Sequence, residues 1–246
     1  MTREVKMGMN RTGMQMSPRD SKELLQGSQR TVPTSEGDES MLAAMRGEYV
    51  MEADPLGSVP PPGTAKGMFK AGAEMLTGNR AEVLLDKLGE RLAFERGGTR
   101  LYETLIMKCL AAPNGREVIQ LDVLEEIHRE EARHFDLLRA AIEQLGGDPT
   151  AMTPCADVTG VQSLGLVQAM NDPRTSIAQC VQTILIAELA DNAGWELLIR
   201  LAQEMGHDEL VQQFQEALAH EGRHLVTVRD WLEKLTLSEA KLLSTA

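Results

Sequence analysis

Two stretches of this chain put a glutamate and a histidine three residues apart inside apolar helical seams: Glu131 and His134 in HREEARHFDLL, and Glu221 and His224 in AHEGRHLVTV. Residues three and four apart share one face of a helix. Walking by threes and fours through the first pair gives Leu124, Ile127, Glu131, His134, Leu138, Ala141 and Leu145. The same walk through the second gives Leu210, Phe214, Ala217, Glu221, His224, Val228, Trp231 and Leu235. Both are core-facing stripes interrupted only by the Glu-His pair. A carboxylate cannot stay ionised in such a seam without compensation, because an isolated buried charge costs several kcal/mol or more. The two helices are therefore expected to face one another around positive charge.

The spacing alone is weak. Glu125/His128 and Glu204/His207 repeat it. The seam through Glu125 contains Arg139, and His207 stands beside Gly206 at a helix end. These two pairs are read as ordinary solvated or terminal groups.

Four long helical runs are predicted, over about 80–112, 116–146, 174–206 and 208–236. Their boundaries carry turn and cap residues. Asn79 caps the first, and Pro113-Asn114-Gly115 separates it from the second. Gly146-Gly147 and Pro149 end the second, Asp172 and Pro173 open the third, Gly206 ends it, and Asp208 caps the fourth. The first and last junctions are tight, so the helices they join should be antiparallel. The middle one, about 26 residues long, can cross the bundle through a short helix near 161–170. Four helices with one long crossover is the topology of the ferritin-like folds.

Two further inward carboxylates lie on the remaining helices. Glu95 interrupts the stripe Leu84, Leu88, Leu92, Gly98, Tyr102, Leu105, Cys109; Glu188 and Asp191 interrupt Ile177, Val181, Ile184, Trp195, Leu198, Ala202. Each inward glutamate lies about 13 to 15 residues from its helix start, or ~20 Å at ~1.5 Å per residue. The four therefore meet at one level. Two divalent cations balance four carboxylates, and two imidazoles add neutral nitrogen donors. One Glu from each of two helices and Glu-x-x-His from each of the other two is the ligand set of di-iron and di-manganese carboxylate bundles. Oxygen and nitrogen donors without thiolate suit iron or manganese. The competing explanation is a set of satisfied core polar groups; six residue types on the right faces at one depth disfavour it.

Composition narrows the partners. Hydrophobic residues make up 42% but aromatics only 3%, so Leu, Ile, Val, Ala and Met must fill the core. A net charge of −12 opposes nucleic-acid or membrane-surface partners. No signal peptide or membrane span is read, and cytoplasm is the expected compartment. Cys109, Cys155 and Cys180 form no Cys-x-x-Cys pair. Residues 1 to 36 read as an aperiodic arm, 39–53 as a short helix stopping before Asp54-Pro55, 55–63 as a stiff Pro-rich linker, and 64–76 as a second short helix. The expected division is an irregular N-terminal arm over 1–78 and an all-α, ferritin-like four-helix bundle over 79–246. His220, one turn before His224, is read as a rim histidine, with a place behind the metal-facing residues as the alternative. Gly98, one turn from Glu95, leaves either an open pocket or room for close helix packing.

Taken as a set over residues 80–236, Glu95, Glu131-x-x-His134, Glu188 and Glu221-x-x-His224 resemble the metal ligands of the ferritin-like superfamily, especially rubrerythrins and bacterioferritins. The resemblance implies two iron ions, with manganese or a mixed manganese–iron pair as alternatives. It implies that Glu131 and Glu221 bridge them and that Glu95, Glu188, His134 and His224 are terminal ligands. It also implies a Tyr102 close to the metals, in a catalytic role. Asp191 falls where rubrerythrins carry an extra, exchangeable carboxylate. The chain departs from that pattern in four ways: no four-cysteine rubredoxin module, Trp195 at the second family tyrosine position, Asp rather than Glu at 191, and an N-terminal third with no counterpart in a storage ferritin. The implied function is a redox enzyme reacting with peroxide or oxygen, supplied by an external electron donor and assembled as a homo-oligomer, dimer or larger. The alternatives are a ferroxidase for iron storage or detoxification and a metal-stabilised structural or interaction protein.

Overall fold

A computed structural model describes residues 18–30, 39–63, 67, 68, 72, 80–112 and 117–242. Among them the regular elements are all helices: α1 (Pro18–Arg30), α2 (Glu39–Glu52), α3 (Ala81–Ala111), α4 (Leu121–Gln144), α5 (Pro154–Asn171), α6 (Ile177–Glu204) and α7 (Asp208–Leu242). The protein is all-α over this range. It divides into two compact units, Met1–Pro55 and Leu56–Ala246.

In the first unit α2 follows the predicted short helix. α1 forms where an aperiodic arm was expected. Pro18 at its start, Asp20 in its first turn and Arg30 in its last suit the helix ends electrostatically. Neither helix buries a residue.

In the second unit the long helices form where the seams predict them, with shifted ends. α4 starts at Leu121 rather than near 116, and α7 runs on to Leu242. Asn79 and Pro113–Gly115, the expected punctuation of α3, lie outside the described residues, as does most of 64–76. The start of α6 corrects the sequence reading. Ser176, not Asp172, is the N-cap, and it forms a reciprocal capping box with Gln179: Gln179 N donates to Ser176 Oγ at 3.2 Å, and Ser176 N to Gln179 Oε1 at 2.8 Å. Asp172 instead ends α5, and its carboxylate accepts from Arg174 N at 2.9 Å and Nη2 at 2.6 Å. Asp-Pro therefore makes a turn here, and the helix waits four residues for the better cap. Gly146 (φ +86°) and Gly206 (φ +76°) take the left-handed conformations that close α4 and α6.

The connection from α4 to α6 is helical over Pro154–Asn171, longer than the 161–170 expected. Thr153 caps it and Pro154 occupies its first turn. α5 lies along α3 and is fastened at both ends. Cys155 N donates to Asp86 Oδ1 at 2.9 Å; at the far end Lys108 Nζ donates to the carbonyls of Asp172 (2.7 Å) and Thr175 (3.2 Å).

α3 packs on α4, α5 and α6; α7 packs on α6 and α4. Their inner faces form two apolar clusters. One contains Leu88, Leu92, Leu138, Trp195, Leu198 and Phe214, with Val59 packed against it. The other contains Tyr102, Leu105, Leu124, Val181, Ile184 and Trp231. Cys109 and Cys180 are core residues of the second cluster, and Cys155 is half-buried; none of the three is in a disulfide among the described residues. Along every long helix a short polar stretch separates the two clusters, and the inward carboxylates occupy that layer.

Candidate metal centre

The polar layer is built by Glu95 of α3, Glu131 and His134 of α4, Glu188 of α6, and Glu221 and His224 of α7, none more than 3% exposed. They form two groups. Glu95, Glu131, His134 and Glu221 bring one oxygen or nitrogen each within 4.8 Å of one another, and so do Glu131, Glu188, Glu221 and His224. Glu131 and Glu221 belong to both. The six residues picked from the seams thus converge, and the two shared glutamates are those to which the resemblance assigns bridging.

Both imidazoles turn Nδ1 inward. His134 Nδ1 lies 2.6 Å from Glu221 Oε1 and 3.9 Å from Glu95 Oε2; His224 Nδ1 lies 3.3 Å from Glu221 Oε2 and 3.5 Å from Glu131 Oε1. Yet Glu95 Oε2, Glu188 Oε2, both Glu221 oxygens and both Nδ1 atoms lack a hydrogen-bond partner of adequate geometry. Buried polar atoms are ordinarily satisfied, and each one stranded costs about 1–3 kcal/mol. Six stranded atoms in two groups, all electron-pair donors, fit a pair of cations.

The outward atoms of the same residues are held. Tyr102 donates its hydroxyl to Glu188 Oε1. Trp195 Nε1 donates to Glu95 Oε1 at 3.0 Å, and Arg91 Nη2 donates to the same oxygen at 2.7 Å. His224 Nε2 meets Glu130 Oε2 at 2.8 Å, and His134 Nε2 meets His220 Nδ1 at 3.3 Å. Asn192 Nδ2 donates to the carbonyls of Glu188 (2.9 Å) and Glu221 (3.3 Å), joining α6 to α7 at this level. Such outer partners orient ligands and set their basicity.

The electrostatics are those of a cavity crowded with carboxylates. Burial raises Glu95, Glu131 and Glu188, with repulsion from Glu221 in the same direction; Glu188 is pushed up to about 8. Burial would raise Glu221 too, but the imidazoles of His134 and His224 outweigh it and hold the group down at about 2. Burial opposes a charged His224, yet the neighbouring carboxylates of Glu131 and Glu221 outweigh that and lift it to about 11. Burial and Glu188 raise Tyr102 well above the usual phenol range. Protons thus do the neutralising that divalent cations would otherwise do.

Several residues stand differently from the sequence reading. Asp191 is buried but belongs to neither group; it forms an ion pair with the equally buried Arg91. Arg91 lies on the same face, three residues after Leu88 and four before Glu95, but the apolar Leu92 beside it completes the stripe without it and masks it in the sequence. Its room comes from Gly194: a Cβ there would stand 2.6 Å from Arg91 Nη1 and 3.1 Å from Cζ. Glu130 was also missed, one position off the seam and hidden by the facing helix. His220 is half-buried as a rim histidine should be, but it also contacts the outer nitrogen of His134. Beside Gly98 there is no open pocket, for the Glu131 carboxylate fills the space: a Cβ would run into Oε2 and stand 3.2 Å from Cδ. Glu125 and Glu204 are exposed, and His128 and His207 are half-buried outside both groups.

No helix among the described residues is long and apolar enough to cross a membrane. In comparisons with known proteins, no family model, curated protein or solved structure matches this chain.

Proposed function

We propose that this chain is a di-iron or di-manganese carboxylate protein of the ferritin-like kind, acting as a redox enzyme on oxygen or hydrogen peroxide. The observation that carries the reading is the pair of buried donor groups, drawn from four helices and sharing Glu131 and Glu221, in which the five residues other than Glu131 leave six donor atoms without a hydrogen-bond partner.

Helix order supports the same reading. α3 and α7 enter the Leu88–Phe214 cluster first and the Tyr102–Trp231 cluster second, while α4 and α6 visit them in the opposite order. α4 and α6 then run the same way, and α5 is the crossover between them. α3, α4, α7 and α6 pack as neighbours in a closed ring. That order and packing support a four-helix bundle with one long crossover.

Bound iron or manganese would supply one-electron redox chemistry and an open coordination position. The chain's own groups would do the rest. Glu131 and Glu221 would hold the two ions together, Glu95 with His134 and Glu188 with His224 would cap them, and the apolar clusters on either side would exclude water. Tyr102 holds one oxygen of Glu188 and leaves the other facing inward. It is the nearest phenol available to donate a hydrogen bond or an electron. With no Cys-x-x-Cys pair in the chain, reducing equivalents would come from a separate donor.

The Arg91–Asp191 pair favours oxygen over peroxide. The rubrerythrin-like expectation needs Asp191 free to exchange as a ligand, and stranding a partner in a buried ion pair costs about 3–5 kcal/mol. The test is anaerobic ferrous loading, metal analysis, and stopped-flow mixing with oxygen or hydrogen peroxide separately. Two irons per chain and faster oxidation by oxygen are expected. A faster reaction with peroxide would restore the exchanging-carboxylate reading, and a chain that takes up no iron would overturn the metal centre. Oxidation that deposits iron inside a many-subunit shell, seen by light scattering, would move the function to iron storage.

A further inference from the structure

Each inward histidine is backed by the residue immediately before the metal-facing glutamate of the other helix. Glu130 precedes Glu131 on α4 and meets His224 Nε2 at 2.8 Å; His220 precedes Glu221 on α7 and meets His134 Nε2 at 3.3 Å. The placement is the same on both sides and the chemistry differs. With Nδ1 turned inward and bound to a metal, each Nε2 would carry the proton and donate outward. On one side it donates to a carboxylate, which strengthens the imidazole as a ligand. Glu130 is itself steadied by Arg223 Nη2 at 3.3 Å and Arg133 Nη2 at 3.6 Å. On the other side it faces, over a longer distance, a one-third exposed imidazole whose Nδ1 also lies 3.6 Å from Glu130 Oε1, so a carboxylate reaches His134 only through His220.

The terminal glutamates are unequal in the same sense. Glu188 accepts one neutral hydroxyl on its outer oxygen. The outer oxygen of Glu95 accepts both the Trp195 indole N–H and the Arg91 guanidinium, which draws electron density away from the inner one. Asp191 balances the charge of Arg91 at longer range, so the difference between the two positions rests chiefly on the histidine backing.

From this asymmetry we infer that the two metal positions are unequal: the one formed with Glu188 and His224 fills first and binds tighter, and the one formed with Glu95 and His134 fills second and empties first. The inference rests on the di-metal reading above. Glu130 and His220 are positioning residues in it, acting through the histidines.

The test is an anaerobic titration of the metal-free full-length protein with cobalt(II), followed by visible absorption and calorimetry. Two separate steps are expected. Glu130→Gln should weaken the first by ~10–100-fold, the usual effect of losing an outer partner, and leave the second in place. His220→Glu, which gives His134 the carboxylate that His224 already has, should tighten the second step by ~10-fold and narrow the gap. A gain of that kind does not arise from damage to the fold. Two ions bound in one unresolved step, a Glu130→Gln effect as large on the second step as on the first, or a His220→Glu variant no tighter than the parent would each overturn the inference and leave the di-metal reading standing. No cobalt binding at all would overturn both.

Discussion

A methyl group added at Gly98 would collide with the carboxylate of Glu131, whereas one added at Gly97 would meet nothing within 4 Å. The two neighbours in α3 therefore form a matched pair of perturbations. Alanine replaces glycine in mid-helix with a gain of up to ~1 kcal/mol. At Gly97 that gain should appear undiminished, as a rise in melting temperature of roughly 2–4 °C for a domain of this size. At Gly98 the same backbone gain is opposed by the need to move Glu131. That carboxyl is the end of a flexible side chain and, in the metal-free protein, burial already favours its neutral form. It can swing aside at modest cost to the fold. It cannot do so without leaving both donor groups, because Glu131 belongs to each. Gly98→Ala should therefore remain folded and melt near the parent when metal-free. Its affinity for two ferrous ions should drop by more than the ~10–100-fold that loss of an outer partner costs. Circular dichroism melts of metal-free protein and anaerobic ferrous titrations measure the two effects separately. A Gly98→Ala variant that binds two irons with parental affinity, or a Gly97→Ala variant equally impaired, would refute the assignment of this cleft to Glu131.

His134→Ala and His224→Ala should each lower the metal content found by elemental analysis, while His128→Ala and His207→Ala leave it unchanged; equal losses from all four would contradict the separation of seam and decoy pairs. Asp191→Ala should keep two metals per chain yet destabilise the fold in denaturant titrations, by less than the about 3–5 kcal/mol of a fully unpaired buried charge because Arg91 keeps Glu95; lost metal without lost stability would make Asp191 a ligand after all. The metal-free and metal-loaded proteins should respond oppositely to pH. Glu188 is raised from 4.5 to about 8 and His224 from 6.5 to about 11, so the folded state holds protons that the unfolded chain releases. Their contribution to stability is complete below those unfolded values and falls as pH rises towards the folded ones, by up to ~1.4 kcal/mol per pH unit for each proton. Glu221, lowered to about 2, loses its contribution only as pH falls below 4.5. Between pH 5 and 9 metal-free stability should thus decline, while the stabilisation conferred by metal, which displaces these protons, should grow. Parallel pH dependences of the two forms would count against proton–metal competition at this cavity.

What the sequence made legible was periodic. Glu95, Glu131, His134, Glu188, Glu221 and His224 were found because each breaks an otherwise apolar stripe, and a stripe needs only one helix to be recognised. Glu130 was hidden because its burial depends on what faces it, Arg91 was masked by the apolar Leu92 beside it, and His220 had two readings between which only its contact with His134 decides. Arg91 fits only where α6 presents Gly194, and Glu130 is enclosed by α7. Off its own seam, a charged residue looks the same whether water or another helix lies beyond it. α1 failed for the opposite reason: it buries nothing, so no stripe marks it. The start of α6 was misplaced because Asp172-Pro173 and Ser176-x-x-Gln179 are both valid opening signals, and only the hydrogen bonding of the turn distinguishes them.

The division of the core into two apolar compartments bears on how the domain holds together as a cooperative unit. Hydrophobic packing propagates within each compartment, but between them lies a belt where most side chains are charged or hydrogen-bonded. With the belt neutralised only by protons, the coupling between the two halves rests on helix continuity and on a few contacts, such as Trp195 with Glu95 and His134 on one side and Tyr102 with Glu188 and His224 on the other. The ends of the bundle can then open semi-independently, and amide hydrogens beside the belt should exchange faster than those deep in either compartment. A pair of cations gripping four helices at that height would rivet the halves together. The same ions proposed to carry the chemistry would then also decide whether the bundle unfolds as one body or as two.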